Sequence, residues 1–509
     1  MSTHSHPIEL SVDGHAVSIE DTGGSLLEAL RDQLGIRSPK DGCSPQGQCG
    51  CCTVLVDGQP RVSCVTPARR VKGRAVTTVD GLDDAQQWAE AMCATGGSQC
   101  GFCTPGIIVR LSALRAKYGE LDADRVTDAL KAHLCRCTGW QTIVEAAVDL
   151  PTADADRDLD AASRRATIEG RADQRVHPDV ALGAGGFADD TSPDGALVAV
   201  RGQDGSWVRS TGLSAAREAA GKVQGRRTTR ASEPPIEVPE GDWAVTLRTS
   251  WVEPAYLETD ASWAVPGAAA SSPLANGGAF GGKVEADVVD EAVAQADDAG
   301  QPVRVLASRE DTVRRGPKRP PLAAGIAADG TGVIRVARTP GIAEVIRRVG
   351  PGLEVEEVDI DGPPTSTAIR GAGWVEAAVL VAAATGEPSI TSPDGATATA
   401  TFDGEAIEVE LRCGEVLDEV VLRSYCIGAA HMAYSWVTSE ALTVEDGEVL
   451  DLTVRSFGIV RAVDMPKVSV TLVDEDTEAV NGSDAVFAAV AAAVWRHLGH
   501  AGVWPVLDD

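Results

Sequence analysis

Cysteine is the residue type whose placement in this sequence says most about chemistry. Ten of the twelve cysteines lie between Cys43 and Cys137, and only Cys413 and Cys426 lie beyond them. Such a density is typical of a disulfide framework in a small secreted domain or of a metal centre. Because the first residues lack the basic and apolar segments of an export signal, we expect a cytoplasmic protein with a metal centre.

The first cysteine set has the spacing C-x5-C-x2-C-x11-C. Plant-type 2Fe-2S sites use C-x4-C-x2-C and a distant fourth cysteine, so the first loop here is one residue longer. Glycines at 42, 47 and 50 allow the backbone to wrap closely around a cluster. Cys51 is interpreted as a spare thiol, although it could exchange roles with its neighbour. The first set is Cys43, Cys49, Cys52 and Cys64.

The second cysteine set consists of a C-x2-C pair and a C-x-C pair. Zinc is the alternative ligand here, because paired cysteines at short spacing also suit a tetrahedral zinc ion. Zinc knuckles usually have two C-x2-C pairs, whereas Arg136 alone separates the later pair. Two such sets in tandem favour two 2Fe-2S clusters over zinc. The second set is Cys100, Cys103, Cys135 and Cys137.

The elements that position these cysteines fall into two small units. Residues 1–80 predict a ferredoxin-like β-grasp sheet with turns at Asp13-Gly14 and Asp57-Gly58 and a helix beginning at Ser25. Residues 81–150 predict a four-helix bundle, and the polar residues 151–166 predict a linker. The four predicted helices cover residues 84–95, 105–117, 122–134 and 141–148.

The cysteine motifs resemble the iron-sulfur part of the xanthine dehydrogenase and aldehyde oxidase family of molybdenum hydroxylases. They read GQCGCCTV at 47–54, QCGFCTPG at 99–106 and LCRCTG at 134–139. Segments at 185–190, 251–266, 276–283, 306–321 and 367–377 also resemble, in order, landmarks of the family's molybdenum part. The resemblance implies that residues 167–509 form a shortened α+β molybdopterin-binding-like region. The fold class expected for the whole chain is therefore α+β multidomain.

The resemblance also implies cofactor-binding residues. In the segment NGGAFGGK, backbone amides are expected to approach the molybdenum cofactor, with an aromatic ring against the substrate pocket; a simple turn between strands is the alternative. Gln99 matches a family position that touches the pterin while Cys100 binds iron. The candidate loop residues are Gly277, Gly278, Phe280, Gly281 and Gly282.

Two further residues are catalytic candidates from the resemblance. Asp484 stands where the family has a glutamate base, and burial would raise the pKa of such a carboxyl towards neutral pH. The alternative is that Asp484 is only the N-cap of the helix 485–495. Arg370 is expected to anchor a substrate oxygen, with a surface ion pair as its alternative.

The function implied is oxidation of an aldehyde or N-heterocycle with water as the oxygen source. Electrons would pass through two 2Fe-2S clusters, from a molybdopterin site, to a flavoprotein subunit or a soluble carrier. The alternative is a non-catalytic electron-transfer subunit whose degenerate region docks a full-length molybdenum chain; the short stretches between Trp251 and Gly277 and between Arg370 and Cys413 favour it. The net charge of −30 repels phosphate backbones and anionic membrane surfaces and therefore disfavours nucleic acid and membrane partners. No apolar run is long enough for a membrane span.

Overall fold

A computed structural model describes residues 7–152, 156–221, 228 and 231–506 of the chain. Helices and strands alternate irregularly along the sequence, and the strands form several separate sheets. The fold is therefore α+β and multidomain, as the sequence predicts. No helix within the described residues is long and apolar enough to cross a membrane.

The N-terminal sheet has the strand order β2-β1-β5-β3-β4. Alternate residues of β1, namely Ile8, Leu10 and Val12, are buried and pack on the helical segment that contains Leu26 and Leu30. Both predicted turns are confirmed, since β1 pairs with β2 and β3 pairs with β4 in antiparallel register. The elements are β1 Ile8–Val12, β2 His15–Ile19, helix α1 Leu26–Glu28 with a π-helical turn Ala29–Gln33, β3 Thr53–Val56, β4 Gln59–Val62 and β5 Ala75–Thr77.

Four helices follow and surround the second cysteine set. The third ends earlier than the predicted 122–134, because the chain turns after Ala129 and the amide of Leu134 donates to the carbonyl of Cys49 at 2.9 Å. The second begins at Thr104, one residue before the predicted start at 105, and its N-cap is Cys103. The helices are α2 Ala85–Thr95, α3 Thr104–Tyr118, α4 Ala123–Ala129 and α5 Gln141–Asp149.

The structure has a helix where the sequence predicts the second half of the linker 151–166. Helix α6, Leu159–Gly170, is capped by Asp158 and packs Ala162 and Ala166 against a later helix. Its buried face consists of alanines and the ion pair of Arg165 with Glu169. Such a face lacks the apolar periodicity by which a helix is predicted from sequence. Linker residues 153–155 lie outside the described residues.

The described residues after α6 form three further sheets and one short hairpin. The strand orders are β7-β6-β10-β9, β13-β12-β11-β8-β20 and β14-β15-β16-β19, and β17 pairs with β18. The largest hydrophobic core lies here, around α14 and α15. The strands are β6 Leu197–Arg201, β7 Trp207–Ser210, β8 Val245–Thr249, β9 Ala261–Ala264, β10 Val303–Leu306, β11 Leu322–Ile326, β12 Gly332–Ala337, β13 Leu353–Val358, β14 Ser389–Thr391, β15 Thr397–Phe402, β16 Ala406–Arg412, β17 Val444–Glu445, β18 Glu448–Val449, β19 Lys467–Val473 and β20 Val503–Trp504. The helices are α7 Pro178–Ala181, α8 Ala188–Thr191, α9 Leu213–Ala219, α10 Val288–Ala299, α11 Arg309–Arg315, α12 Ile342–Val349, α13 Trp374–Thr385, α14 Glu419–Thr438 and α15 Ser483–His497.

Candidate iron-sulfur sites and the adjoining cavity

The thiols of the first cysteine set converge from the loop between α1 and β3 and from the 3-10 helical turn Ser63–Val65, which follows β4. The thiols of Cys49 and Cys64 hydrogen-bond to the Cys43 sulfur and hold the pKa of Cys43 well below its usual value. The Cys64 thiol also forms a side-chain hydrogen bond with Cys52. Backbone amides reach the sulfurs as well, from Gln46 to Cys43 at 3.1 Å and from Cys64 to Cys52 at 3.4 Å. Converging thiols with amide donors suit an iron-sulfur cluster.

Cys51 is buried beside the first set, and its thiol forms a side-chain hydrogen bond with the thiol of Cys49. The Cys51 sulfur also lies 3.8 Å from the carbonyl oxygen of Cys49. The Cys51 backbone carbonyl lies against α3, where a Cβ on Gly106 would meet the Gly50 oxygen at 2.4 Å and the Cys51 oxygen at 2.8 Å. Glycine at 106 therefore lets the first cysteine loop pack closely against α3.

The second cysteine set forms two thiol pairs. The sulfurs of Cys100 and Cys137 are 3.6 Å apart. The thiol of Cys103 hydrogen-bonds to Cys135 and lowers the pKa of Cys135 to about 7, and Thr138 Oγ1 lies 3.1 Å from the same sulfur. Cys103 is the N-cap of the 15-residue helix α3, whose N-terminal dipole favours negative charge.

The pairing of thiols matches the ligand arrangement of a 2Fe-2S cluster. A 2Fe-2S cluster takes four cysteines shared between two irons, whereas structural zinc draws four ligands around one ion. The contacts of Cys100 with Cys137 and of Cys103 with Cys135 would supply two ligands for each of two irons.

Arg136, which separates two cysteines of the second set, is buried in an ion pair. Its guanidinium donates to both carboxylate oxygens of Glu440 at 2.6 and 2.7 Å, and its Nε donates to the Pro254 oxygen at 3.2 Å. Arg136 and Glu440 are 3% and 1% exposed. A pair of this kind connects the cysteine loop rigidly to the C-terminal region.

A cavity of about 380 Å³, which we call the glycine-loop cavity, lies beside the second set. Gln99, Gly277, Gly278, Phe280 and Gly281 line it. The side chain of Gln99 also holds two neighbouring elements together, because its Nε2 donates to the Cys137 oxygen at 3.0 Å and to Ser424 Oγ at 2.9 Å.

The glycines of this loop are required mainly by packing against the protein itself. A Cβ on Gly281 would lie 1.7 Å from the Ala368 oxygen, and one on Gly277 would lie 1.8 Å from Gln174 Nε2. A Cβ on Gly282, which is not among the residues that line the cavity, would meet the Tyr256 ring at 2.3 Å.

Gly278 is the loop residue nearest to the thiols. A Cβ at this position would lie 3.0 Å from Cys100 Sγ and 3.5 Å from Cys137 Sγ. Its φ of 77° is in the left-handed region that glycine tolerates best. The loop therefore contacts both the cavity and the second cysteine set at this residue.

Asp484 and Arg370 meet at the same cavity. Arg370 Nε donates to Asp484 Oδ1 at 2.7 Å, and Arg171 Nη2 donates to Asp484 Oδ2 at 2.9 Å. Burial raises the pKa of Asp484, but attraction to both guanidiniums outweighs it, so the pKa is lowered. The N-cap interpretation of Asp484 is wrong, because α15 begins at Ser483 with Gly482 as its N-cap.

Two residues of this site had no signal in the sequence. Arg171 follows α6 and reaches both Asp484 and Asp394. Glu169, in the last turn of α6, accepts hydrogen bonds from the amides of Gly482 and Ser483 at 3.0 and 2.8 Å. More than 300 residues separate Glu169 from its partners, so only the fold brings them together.

The sequence comparisons match about a quarter of the chain. The family model for a [2Fe-2S] binding domain matches residues 78–148. The chain is 38% identical over 150 residues to the xanthine dehydrogenase iron-sulfur-binding subunit of Escherichia coli O157:H7, covering 28% of this chain and 92% of that subunit. It is 37% identical over 147 residues to the nicotine 6-hydroxylase small subunit of Paenarthrobacter nicotinovorans, covering 28% of this chain and 88% of that subunit.

Longer proteins match as well. The aldehyde oxidoreductase of Megalodesulfovibrio gigas is 38% identical over 135 residues, which are 25% of this chain and 15% of that protein. The solved aldehyde oxidoreductase from Desulfovibrio gigas superposes with a TM-score of 0.72 at 14% identity, covering 99% of both chains. At that identity the superposition shows the shared fold.

The match to a [2Fe-2S] binding domain assigns the chain to the class of 2Fe-2S iron-sulfur proteins. The match that covers nearly all of a xanthine dehydrogenase iron-sulfur subunit gives a more specific assignment. The chain belongs to the xanthine dehydrogenase and aldehyde oxidase family of molybdenum hydroxylases.

Proposed function

We propose that this chain is a molybdenum hydroxylase-type oxidoreductase that oxidises an aldehyde or an N-heterocycle with water as the oxygen source. The observation that carries the proposal is the convergence of eight thiols in two neighbouring sets. The set of Cys43, Cys49, Cys52 and Cys64 and the set of Cys100, Cys103, Cys135 and Cys137 would each hold one 2Fe-2S cluster. Two adjoining clusters relay single electrons out of an active site.

The glycine-loop cavity is the proposed cofactor and substrate site. Its volume falls within the range of small-molecule pockets. Gln99 and the backbone amides of Gly277, Gly278 and Gly281 would hold a molybdopterin, with Phe280 against the substrate. When bound, this cofactor supplies hydroxylation chemistry. Gly278 then lies between the cofactor side of the cavity and Cys100, which is where an electron would enter the second cysteine set.

Asp484 and Arg370 have opposing proposed roles. As a base, Asp484 has to accept a proton, and as an anchor, Arg370 has to donate to a substrate oxygen. The ion pair between them satisfies both groups and lowers the pKa of Asp484. Catalysis therefore requires that a bound substrate or cofactor displace Arg370 from Asp484.

The same ion pair favours a second candidate function. If Arg370 stays on Asp484, the chain serves as an iron-sulfur electron-transfer subunit whose C-terminal region docks a full-length molybdenum chain. In either case the electron acceptor is a separate molecule, a flavoprotein subunit or a soluble carrier.

Metal analysis of the anaerobically purified chain separates these functions. About four irons and one molybdenum per chain support the enzyme. Four irons without molybdenum, from cells supplied with molybdate, support the electron-transfer subunit. A preparation without iron overturns both.

A further inference from the structure

A second cavity, of about 300 Å³, lies at the edge of the first cysteine set, and we call it the cluster-edge cavity. Among the four thiols of that set, Cys64 lines the cavity. Cys64 is 5% exposed, whereas Cys43, Cys49 and Cys52 are each 1% exposed. A molecule in this cavity would therefore contact the first cluster on its most open side.

The wall of this cavity includes the loop between Cys43 and Cys49, which is one residue longer than in plant-type 2Fe-2S sites. Ser44 and Pro45, in the lengthened loop between Cys43 and Cys49, both line it. Arg217 of α9 closes over this loop, because its Nη2 donates to Ser44 Oγ at 2.7 Å and to Asp41 at 3.2 Å. The cavity is thus built jointly by the cluster loop and the C-terminal region.

One side of the cavity is apolar and aromatic. Phe102, which immediately precedes Cys103, packs edge to face against Phe187 with ring centroids 5.0 Å apart. Leu27, Leu213 and Leu306 complete this side. Flat aromatic and aliphatic walls favour a planar ring.

The polar side of the cavity is acidic. Asp189 and Asp190 are paired with Arg31, and Asp32 is paired with Arg304. Among the carboxylates that line the cavity in the described part of the chain, Glu28 is the one without an ion pair; it accepts hydrogen bonds from the amide and hydroxyl of Ser214. An uncompensated carboxylate repels anions, so this cavity disfavours a phosphate-bearing acceptor such as a flavin or nicotinamide nucleotide.

We infer that the cluster-edge cavity binds a small uncharged quinone that takes electrons directly from the first cluster. The inference rests on the proposed function, since it requires a reduced cluster at Cys43, Cys49, Cys52 and Cys64. With a reduced cluster held by those cysteines, each step would oxidise one ferrous iron to ferric and add one electron to the quinone. Two such steps, with two protons from water, would convert the quinone to the hydroquinone, and electrons from a cluster in the second set would refill the first.

The test uses the full chain with both clusters loaded and reduced under anaerobic conditions. Naphthoquinone or naphthoquinone sulfonate is mixed with it, and cluster oxidation is followed by absorbance in a stopped-flow instrument. Binding to the oxidised protein is measured by equilibrium dialysis. We expect the uncharged quinone to bind and oxidise the clusters about tenfold more effectively than the sulfonate, which corresponds to about 1.4 kcal/mol.

Two variants probe the cavity. Leu213→Trp fills it and is expected to lower naphthoquinone binding and the oxidation rate by about tenfold. Leu472→Trp, at a half-buried leucine of β19, is the matched control and is expected to leave both unchanged. Glu28→Gln removes the uncompensated charge. We expect it to reduce the difference in binding and in oxidation rate between naphthoquinone and naphthoquinone sulfonate.

The outcomes separate the inference from the proposed function. An iron-free chain overturns both. The cavity assignment alone is overturned by a second result. In that result the Leu213→Trp and Leu472→Trp chains, both loaded with clusters, bind naphthoquinone and are oxidised by it as effectively as the unmodified chain. A Glu28→Gln chain with an unchanged preference overturns the electrostatic basis for excluding anionic acceptors.

Discussion

Arg370 and Asp484, 114 residues apart in sequence, form a buried ion pair with 2.7 Å between Nε and Oδ1. The side chain of Arg370 is 8% exposed and that of Asp484 is 5% exposed. Arg370 also donates to Ser483 Oγ, so its guanidinium is fixed to the first turn of α15. The two residues that the family resemblance marks as base and substrate anchor therefore neutralise each other at the wall of the glycine-loop cavity.

Arg370→Ala should destabilise the C-terminal region and raise the pKa of Asp484. Burial is the largest influence on this carboxyl, and without Arg370 only Arg171, which is 56% exposed, opposes it. Breaking a buried pair by removing one partner costs about 3 kcal/mol. The free energy of unfolding at neutral pH is measured by urea titration with tryptophan fluorescence. Arg338→Ala, which breaks an exposed pair with Asp359, is the control and should change little.

The stabilisation from Asp484 should disappear in acid. Its folded-state pKa lies below the usual value, so its contribution is complete above the unfolded pKa and is lost as the pH falls through the folded pKa. Asp484→Asn should therefore be less stable than the unmodified chain at neutral pH, and the difference should shrink below about pH 4. A difference that stays constant into acid would show that the carboxylate charge does not stabilise the fold.

Cys103→Ser should remove one cluster and leave the other. Cys103 and Cys135 form one thiol pair of the second set, whereas the first set contacts its own members. The iron content should fall from about four to about two per chain, and one of two electron paramagnetic resonance signals should vanish after reduction. Cys93→Ser, a substitution at a buried cysteine outside both sets, should keep four irons. Loss of both signals, or of neither, contradicts the grouping.

The cysteine sets can be proposed from the sequence because their spacing is a local feature. Short spacings such as Cys100 to Cys103 limit where the sulfurs can go, and the turn at Asp13-Gly14 and the helix α5 follow from similarly local signals. Family motifs then supply the order of the remaining elements. These features need no knowledge of distant contacts.

The rest of the site depends on such contacts. Nothing near Asp484 indicates that Arg171 and Arg370 would approach it, and nothing near 151–166 indicates that α6 would place Glu169 under the amides of Gly482 and Ser483. The loop glycines show the same limit, since the neighbour that requires glycine at 281 is the Ala368 carbonyl. Tertiary packing decides these roles.

Gly278→Ala should disturb the second cysteine set through its side chain. The added Cβ would lie 2.9 Å from Cys100 Cβ and 3.0 Å from its sulfur, and the φ of 77° adds backbone strain. We expect reduced iron occupancy of the second cluster, seen as a weaker resonance signal. Gly267→Ala, with a φ of 72° and no atom near its Cβ, is the matched control. It carries the same backbone strain of about 1 kcal/mol and should keep full occupancy.

Glu440→Gln should raise the reduction potential of the second cluster. Arg136 lies between Cys135 and Cys137, and Glu440 neutralises its charge in a pair that is almost fully buried. Glutamine keeps an oxygen that can accept a hydrogen bond, but it leaves the guanidinium charge uncompensated in a low-dielectric setting, where charges act strongly. Because reduction adds an electron to the cluster, a nearby positive charge favours the reduced state. Redox titration monitored by electron paramagnetic resonance measures the midpoint of each cluster separately.

The direction of the change in midpoint potential, and its restriction to the second cluster, distinguish an electrostatic effect of Glu440 from structural disruption of the cluster site. A purely structural role for Glu440 would lower cluster occupancy without moving the midpoint of the remaining signal. Glu440→Asp, which restores the charge at a shorter reach, should return the midpoint towards that of the unmodified chain. Glu448→Gln, at an exposed glutamate of β18, should leave both midpoints unchanged. Equal shifts of both clusters in Glu440→Gln would contradict a local effect of Arg136, since the charge adjoins the ligands of the second set alone.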